Sequence, residues 1–108
     1  MEIGIDIEET KRFASMTRVN SFVKRFFSKR EINYCFSKPE PAQSLAARFA
    51  AKEAYYKCTG KVINFINIEI LNNKKNKPEM FINGKMHKKV RVSLSHTKDY
   101  AVSVVVVV

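Results

Sequence analysis

The sequence predicts a small α+β domain in which an antiparallel sheet packs against one long helix, with shorter helices at one side. Two observations support this class. Residues 45–60 are rich in alanine and other strong helix formers. Segments that alternate apolar and polar residues, typical of strands, lie near both ends of the chain. With 108 residues, the chain has the length of a single domain spanning 1–108.

The first quarter of the chain predicts a strand followed by basic helical structure. Residues 2–7 alternate as a short strand, and the acids that follow suit the start of a helix. We expect residues 11–30 to be helical, because apolar residues recur there among seven cations and no acid. Ser28 and Glu31 have the spacing of a capping box, which predicts a second short helix over roughly 29–36.

The long helix is the best-defined element of the sequence. Pro41 suits a first helical turn, and Gly60 suits a helix C-terminus. Ala46, Ala50 and Ala54 recur at intervals of four and form one narrow row of small side chains. Such a row allows another element to approach the helix closely.

The second half of the chain predicts strands. Residues 66–71 and 79–82 flank a polar turn and form a hairpin. Residues 90–96 alternate as another strand, and 100–108 follow after a short turn. The valine-rich end of this last strand is expected either at the centre of the sheet or under a subunit interface, because it would aggregate if exposed.

Composition narrows the classes of partner and compartment. Twenty Lys and Arg face ten Asp and Glu, so the net charge of +10 predicts an anionic partner: nucleic acid, a membrane surface, an acidic protein or a phosphate-rich small molecule. The two cysteines lack zinc-ligand spacing and are expected to be free, buried thiols. There is no signal-peptide pattern and no apolar stretch near the roughly 20 residues that span a bilayer. We therefore expect a cytoplasmic protein that does not bind membranes.

Three charged residues carry the chemical argument, and each has two interpretations. Asp6 lies between two isoleucines in a run typical of a buried strand, where an ionised carboxylate needs a partner or a metal ion. Glu53 and Lys57 are four residues apart on the long helix. They are either a common surface ion pair or a carboxylate and a cation that hold a metal ion and a phosphate together.

Four stretches of the sequence, taken in order, carry a resemblance to a known family. They are Gly4-Ile5-Asp6-Ile7, Phe27-Ser28-x-x-Glu31, the segment 48–57 (Arg-Phe-Ala-Ala-Lys-Glu-Ala-x-x-Lys) and Ser93-Leu94-Ser95-His96-Thr97. Together they closely resemble the holo-[acyl-carrier-protein] synthases of the 4′-phosphopantetheinyl transferase superfamily. The resemblance runs nearly from end to end of the chain.

The resemblance implies a Mg²⁺-dependent transfer of 4′-phosphopantetheine from coenzyme A to a serine of an apo acyl carrier protein, with release of adenosine 3′,5′-bisphosphate. It implies that Asp6 and Glu53 bind the metal ion and act in catalysis together with Lys57, which lies near the pyrophosphate. The implied contacts to coenzyme A come from Arg48, Lys52, Lys57 and His96. Glu53 is the candidate general base.

The resemblance also implies two kinds of protein partner. The basic residues of the first predicted helix match a docking surface for an acidic acyl carrier protein, namely Lys11, Arg12, Arg18, Lys24 and Arg25. A homotrimer with active sites between subunits is implied as well. Fatty-acid biosynthesis, a branch of lipid metabolism, is the default pathway, while polyketide and peptide carriers remain open.

The sequence departs from the family pattern at two places, and two other functions compete with the transferase interpretation. Arg91 stands where many members of the family have histidine, and the 60–66 connection is short. A nucleic-acid-binding module would explain the charge, but the aromatic residues have core spacing and no nucleic-acid motif is present, so we expect no nucleic-acid partner. A non-catalytic scaffold of the same fold is disfavoured because Asp6, Glu53 and Lys57 are all present.

Overall fold

The computed structural model describes residues 1–108 and confirms the α+β class, with the strands divided between two small antiparallel sheets. The first sheet has the order β1-β6-β5 and the second has the order β2-β3-β4. The elements are β1 (Glu2–Glu9), α1 (Ser21–Phe26), α2 (Lys29–Phe36), α3 (Pro41–Thr59), β2 (Ile68–Asn72), β3 (Pro78–Ile82), β4 (Lys85–Met86), β5 (Val90–His96) and β6 (Tyr100–Val107), with 3₁₀ turns at Thr10–Phe13 and Phe65–Asn67.

The predicted position of the valine strand is confirmed, because β6 is the central strand of the first sheet. In its register with β1, Asp6 lies opposite Ser103. One face of this sheet packs against α3. The other face carries Ile3, Ile5 and Ile7, which are 68%, 58% and 59% exposed. The buried strand expected around Asp6 is therefore covered on one face only: Asp6 points towards the helix and its isoleucine neighbours point away.

The alanine row of α3 makes the close approach that the sequence predicts. Ala46, Ala50 and Ala54 are fully buried. Gly4 of β1 lies directly against the helix, and a Cβ at this position would stand 2.1 Å from the Ala54 carbonyl oxygen. No side chain fits there, so Gly4 sets the distance between β1 and α3.

Helix boundaries agree with the sequence for α2 and α3. The Ser28–Glu31 capping box is present in full, and α2 covers Lys29–Phe36. Pro41 occupies the first turn of α3, and Gly60 ends that helix with a φ of 71°. This left-handed conformation suits glycine, which has no Cβ to clash with the following carbonyl group.

The expectation of continuous helical structure over residues 11–30 is wrong. The region forms the Thr10–Phe13 turn, a loop and the six-residue α1. The loop ends at Asn20, whose Oδ1 accepts hydrogen bonds from the backbone N–H groups of Phe22 and Val23 at 2.9 and 3.2 Å. This cap starts a new helix and prevents continuation from the preceding turn.

Aromatic side chains between these short elements and α3 form one cluster, with neighbouring ring centroids 4.6–6.0 Å apart. Its members are Phe13, Phe22, Phe26, Phe49 and Phe65. The rings pack on one another rather than forming a row of exposed stacking platforms. None of the helices combines the length and the apolar character that a membrane span requires.

Candidate active site

Four charged side chains form a continuous chain where β1 passes α3. Lys57 on α3 donates to Asp6 Oδ1 at 2.9 Å and to the backbone oxygen of Ile5 at 3.2 Å. Arg12, just beyond the end of β1, donates to Glu8 Oε1 at 3.0 Å. Asp6 and Glu8 are two residues apart on the face of β1 that turns towards α3. Lys57 and Arg12, which lie on neighbouring elements, thus flank the two carboxylates of this face.

The two adjacent carboxylates raise the affinity of this region for protons and cations. Burial, followed by the closeness and negative charge of Asp6, raises the pKa of Glu8 to about 7. The hydrogen bond from Lys57 to Asp6 and the charge of Asp6 raise the pKa of Lys57, with smaller contributions from Glu53 and Glu8. Asp6 Oδ2 is buried and has no hydrogen-bond partner. An unpaired buried carboxylate oxygen is a favourable ligand position for a cation or a proton donor.

The donor set at this crossing fits Mg²⁺ and does not fit a closed metal site. No group of three or more His, Cys, Asp or Glu side chains converges in the way that structural zinc requires. Mg²⁺ takes oxygen ligands and is commonly held by only one or two carboxylates, with phosphates and water as its other ligands. Asp6, with its free buried oxygen, and Glu53, one turn before Lys57 on α3, are the carboxylates that would serve as such ligands.

A cleft of about 510 Å³ opens beside the first half of α3. Arg48 and His96, both predicted to contact coenzyme A, line it together. Arg48 is only 3% exposed. Its Nε donates to the Ile70 carbonyl at 3.1 Å and an Nη donates to Asn72 Oδ1 at 2.7 Å, so it joins α3 to β2 and forms part of the cleft wall.

The expectation that Lys52 contacts coenzyme A is corrected by its surroundings. Its ammonium group is completely buried and donates to Glu31 Oε1 at 2.6 Å and to the backbone oxygens of Phe26 and Phe65 at 2.7 and 2.8 Å. All three N–H groups are thus used inside the protein. Burial lowers the pKa of Lys52, and the charge of Glu31 opposes this shift. Lys52 is a structural residue.

Comparison with known proteins assigns the chain and its fold to one family. A model of the 4′-phosphopantetheinyl transferase superfamily matches residues 2–105. The chain belongs to this superfamily. A holo-[acyl-carrier-protein] synthase of Chloroherpeton thalassium is 44% identical over 117 residues, which cover 99% of this chain and 97% of the relative. The corresponding Bacillus subtilis protein is 38% identical over 112 residues, with coverage of 97% and 93%.

Solved structures of holo-[acyl-carrier-protein] synthases have the same fold. The Bacillus anthracis enzyme, in complex with CoA (3′,5′-ADP), matches with a TM-score of 0.82 and 33% identity over 98% of this chain and 94% of that one. The Helicobacter pylori enzyme, in complex with coenzyme A, matches with a TM-score of 0.79 and 32% identity over 98% and 99%. The chain is therefore an enzyme of the phosphopantetheinyl transferase superfamily, and the resemblance seen in its motifs is confirmed.

The residues expected to dock a carrier protein differ in how free they are. Lys11 pairs with Glu9 at 3.1 Å, and Arg18 donates to Asn33 Oδ1 at 3.1 Å. Lys24 and Arg25 on α1 form no ion pair. The five cations Lys11, Arg12, Arg18, Lys24 and Arg25 thus extend over a turn, a loop and a short helix instead of one helical face.

Several residues that line the candidate site are not predicted from the sequence patterns. The sequence predicts Glu8 at a helix start, yet the strand continues to Glu9 and places Glu8 beside Asp6. The two-residue spacing of Asp6 and Glu8 is the signal that could have found it, since this spacing places both on one strand face. Asn76, Lys77 and Pro78, in the polar turn of the predicted hairpin, line the same cleft as Arg48 and His96.

Arg91 and the cysteines lie outside the site. Arg91 is exposed, five residues before His96, and its guanidinium donates to the Lys88 carbonyl. Because side chains alternate between the two faces of a strand, a separation of five residues puts Arg91 and His96 on opposite faces of β5. Both cysteines are free and buried, and burial raises the pKa of the Cys35 thiol to about 12. This makes Cys35 a poor nucleophile.

Proposed function

We propose that this chain transfers 4′-phosphopantetheine from coenzyme A to a serine of an apo acyl carrier protein in a Mg²⁺-dependent reaction that releases adenosine 3′,5′-bisphosphate. The observation that carries the proposal is the β1–α3 crossing. There, Asp6 has one buried oxygen without a partner and the other bonded to Lys57. This arrangement occurs in a chain 44% identical to a holo-[acyl-carrier-protein] synthase.

Asp6 and Glu53 are the residues that would hold Mg²⁺. When bound, the ion neutralises pyrophosphate oxygens and offsets the charge that develops on the leaving group. Lys57 would exchange its contact with Asp6 for one with the same phosphates, since its ammonium group is half-exposed and its side chain is flexible. Two carboxylates that hold the ion, together with one lysine, would therefore offset the negative charge of the phosphate oxygens, which otherwise repels a nucleophile approaching the phosphorus.

Glu53 is the proposed general base. Its carboxylate accepts the proton of the carrier serine hydroxyl as the serine oxygen bonds to the β-phosphorus of coenzyme A. The bond between that phosphorus and the bridging oxygen breaks, and adenosine 3′,5′-bisphosphate leaves with the electron pair. No nucleophile from this chain is needed, which agrees with the inert, buried cysteines.

The cleft beside α3 is the proposed binding site for the nucleotide end of coenzyme A. Arg48 and His96 line it from two different elements, and Lys77 adds a cation from the hairpin. Two hydrogen bonds hold Arg48 against β2, one to the Ile70 carbonyl and one to the Asn72 side chain. Its guanidinium group is therefore pre-oriented for an anionic ligand.

A homotrimer with active sites between subunits is the proposed assembly. The outer face of the first sheet supports it, because three isoleucines of β1, each more than half exposed, lie beside the valines of β6. An apolar face of this kind on a small domain is typical of a subunit interface.

The decisive experiment is the mass increase of candidate apo carriers incubated with the chain, coenzyme A and Mg²⁺. We expect the fatty-acid carrier to be modified. Polyketide and peptide carriers are tested under the same conditions to measure the specificity of the transfer. Asp6→Asn and Glu53→Gln should each reduce transfer by at least about 100-fold. Glu79→Gln, on the second sheet, is the matched control and should retain activity. Wild-type turnover in either site variant would contradict the metal assignment.

A second experiment tests the docking surface. Replacing Lys24 and Arg25 with alanine should raise the carrier KM and weaken its salt dependence, with little change in the KM for coenzyme A, because charges at an interface act mainly on encounter. Lys74 and Lys75, replaced together, make a control with the same change in net charge. Equal effects from the two pairs would contradict a localised docking surface.

A further inference from the structure

Glu8 is the charged residue of this site that neither the sequence motifs nor the proposed reaction uses. Its side chain is only 14% exposed and lies 3.0 Å from Arg12, a residue proposed to dock the carrier protein. On the same strand face it neighbours Asp6, whose free oxygen is proposed to receive the metal ion. Glu8 thus lies between the proposed carrier-docking residue Arg12 and the proposed metal ligand Asp6.

Arg12 is held in place and remains accessible. Its guanidinium carbon lies 5.0 Å from the ring centroid of Phe49, 5.2 Å from that of Phe22 and 5.6 Å from that of Phe13. These contacts with three packed rings fix the guanidinium group. The side chain is nevertheless 48% exposed. An incoming carboxylate can therefore reach Arg12 while the three rings favour the orientation in which the guanidinium group also bonds to Glu8.

The neighbouring ion pair Glu9–Lys11 differs from Glu8–Arg12 in its exposure and in the strand face that it occupies. It also joins a glutamate to a cation of the docking set, at 3.1 Å, but its side chains are 52% and 83% exposed. Glu9 points to the opposite face of β1 from Asp6. An exposed pair of this kind is strongly screened by solvent and has no carboxylate neighbour to influence.

We propose that Glu8 is a positioning residue that occupies Arg12 in the free enzyme and competes with the acidic carrier protein for it, so that carrier binding and cation binding at Asp6 are coupled. This rests on the proposed function. When a carrier carboxylate shares Arg12, one guanidinium group is divided between two carboxylates, and the carrier adds negative charge close to Asp6. Carrier binding then strengthens Mg²⁺ binding, and by thermodynamic reciprocity Mg²⁺ strengthens carrier binding by the same factor.

The competition makes an unusual prediction: removing an acidic residue near the active site should improve carrier affinity. We expect Glu8→Gln to lower the carrier Kd about three- to fivefold, the range for releasing one partly exposed ion pair. Glu9→Gln makes the same change in net charge and should alter the Kd by less than about twofold. Glu8→Gln should also weaken Mg²⁺ binding in the absence of carrier, because one carboxylate next to Asp6 is lost.

Isothermal titration calorimetry of the full chain tests both claims. The probe is an apo acyl carrier protein whose acceptor serine is replaced by alanine, so that no transfer occurs. Mg²⁺ is titrated with and without this carrier, and the carrier with and without Mg²⁺. The wild type should show mutual tightening, which Glu8→Gln should abolish and Glu9→Gln should preserve. Equal carrier affinities in Glu8→Gln and Glu9→Gln, or unchanged coupling in Glu8→Gln, would overturn the inference.

Two further measurements isolate the contribution of Glu8. Arg12→Gln should weaken carrier binding by a larger factor in the Glu8→Gln background than in the wild type, because there Arg12 has no internal partner; additive effects would contradict the competition. Transfer to the native carrier by the wild type is measured first. If no carrier is modified, the proposed function fails; if transfer occurs and the coupling is absent, only the role of Glu8 fails.

Discussion

At the scale of single residues, Gly4 has the largest effect on the geometry of the site. It is the point where β1 meets α3, and a Cβ there would lie 2.1 Å from the Ala54 carbonyl and 2.8 Å from the Cys58 nitrogen. Both are backbone atoms, so neither can rotate aside. Asp6 on the strand and Lys57 on the helix bond to each other because Gly4 permits this approach.

We expect Gly4→Ala to lower the free energy of unfolding by about 3 kcal/mol, at the upper end of overpacking costs. It should also reduce transfer about 100-fold at temperatures where the variant is folded, since displacement of about 1 Å between catalytic groups has that effect. Urea denaturation and the carrier-modification assay measure these effects.

Gly84→Ala is the control for this change. A Cβ at Gly84 would meet no atom within 4 Å, but the residue has a φ of +82°. The free energy of unfolding should therefore fall only by the backbone cost of about 1–2 kcal/mol, and the variant should keep its activity. Unaltered activity in Gly4→Ala would show that the close approach is not needed.

At the scale of secondary-structure elements, the Lys52–Glu31 ion pair holds the helices and the second sheet together. Glu31 Oε1 accepts from Lys52 and from the Ser28 backbone, and Oε2 accepts from the Ile70 backbone at 3.0 Å. Lys52 in turn bonds to backbone oxygens at the end of α1 and at the 3₁₀ turn before β2. One buried pair therefore closes the junction of α1, α2, α3 and β2.

Lys52→Met should lower the free energy of unfolding by about 3–5 kcal/mol, because it leaves the Glu31 carboxylate buried without its cation. Adding Glu31→Gln should recover part of this loss, since the remaining group is uncharged. Chemical denaturation gives both values. Calorimetric titration of the folded variant with coenzyme A should give a Kd close to that of the wild type; a large loss of affinity would restore Lys52 as a ligand contact.

The second tie between α2 and β2 predicts a dependence of stability on pH. Arg30 donates to Glu69 at 2.6 and 3.1 Å. This hydrogen bonding lowers the pKa of Glu69 below its ordinary value of 4.5. A carboxyl whose pKa is depressed in the folded state stabilises the protein above its unfolded pKa and loses that contribution as pH falls through the folded one.

Arg30→Gln should therefore lower the melting temperature at neutral pH, and its difference from the wild type should shrink as pH falls below about 4.5. Lys29→Gln removes the same charge at a residue without an ion pair and is the control. Scanning calorimetry between neutral and acidic pH measures both. A constant difference at all pH values would show that the Arg30–Glu69 pair contributes nothing electrostatic.

At the scale of the whole molecule, the two faces of the first sheet have different roles. The inner face carries Asp6 and Glu8 against α3, and the outer face presents Ile3, Ile5 and Ile7 to solvent. An enzyme of this size has a modest core, so burial of the outer face against another subunit would contribute substantially to its stability. The position of β6 as central strand protects its edges but not this face.

Ile5→Glu should dissociate the proposed trimer, because it places a charge opposite Val104 at the centre of the outer face. Val19→Glu, at a residue 78% exposed and outside this sheet, is the control and should leave the assembly intact. Size-exclusion chromatography with light scattering measures the mass. A wild-type monomer with full activity would contradict active sites shared between subunits.

The sequence determined those features that depend on local chemistry. The Ser28–Glu31 cap, the Pro41 and Gly60 boundaries, the hairpin of β2 and β3 and the strand pair β5–β6 all follow from residue types and short spacings. The row of alanines predicted close packing of α3, which Gly4 completes. The ordered motifs were also sufficient to indicate the family, because each combines particular residue types at a fixed local spacing.

Only the tertiary structure decided which charges meet. Lys52 and Lys57 are five residues apart on one helix, but one is buried against Glu31 and the other reaches Asp6. Burial is a property of the packed molecule, and a helical spacing does not reveal which turn is covered. Likewise, Glu8 faces the helix beside Asp6 because β1 extends to Glu9 through its pairing with Tyr100 of β6, a partner about 90 residues away that no local pattern in the first ten residues encodes.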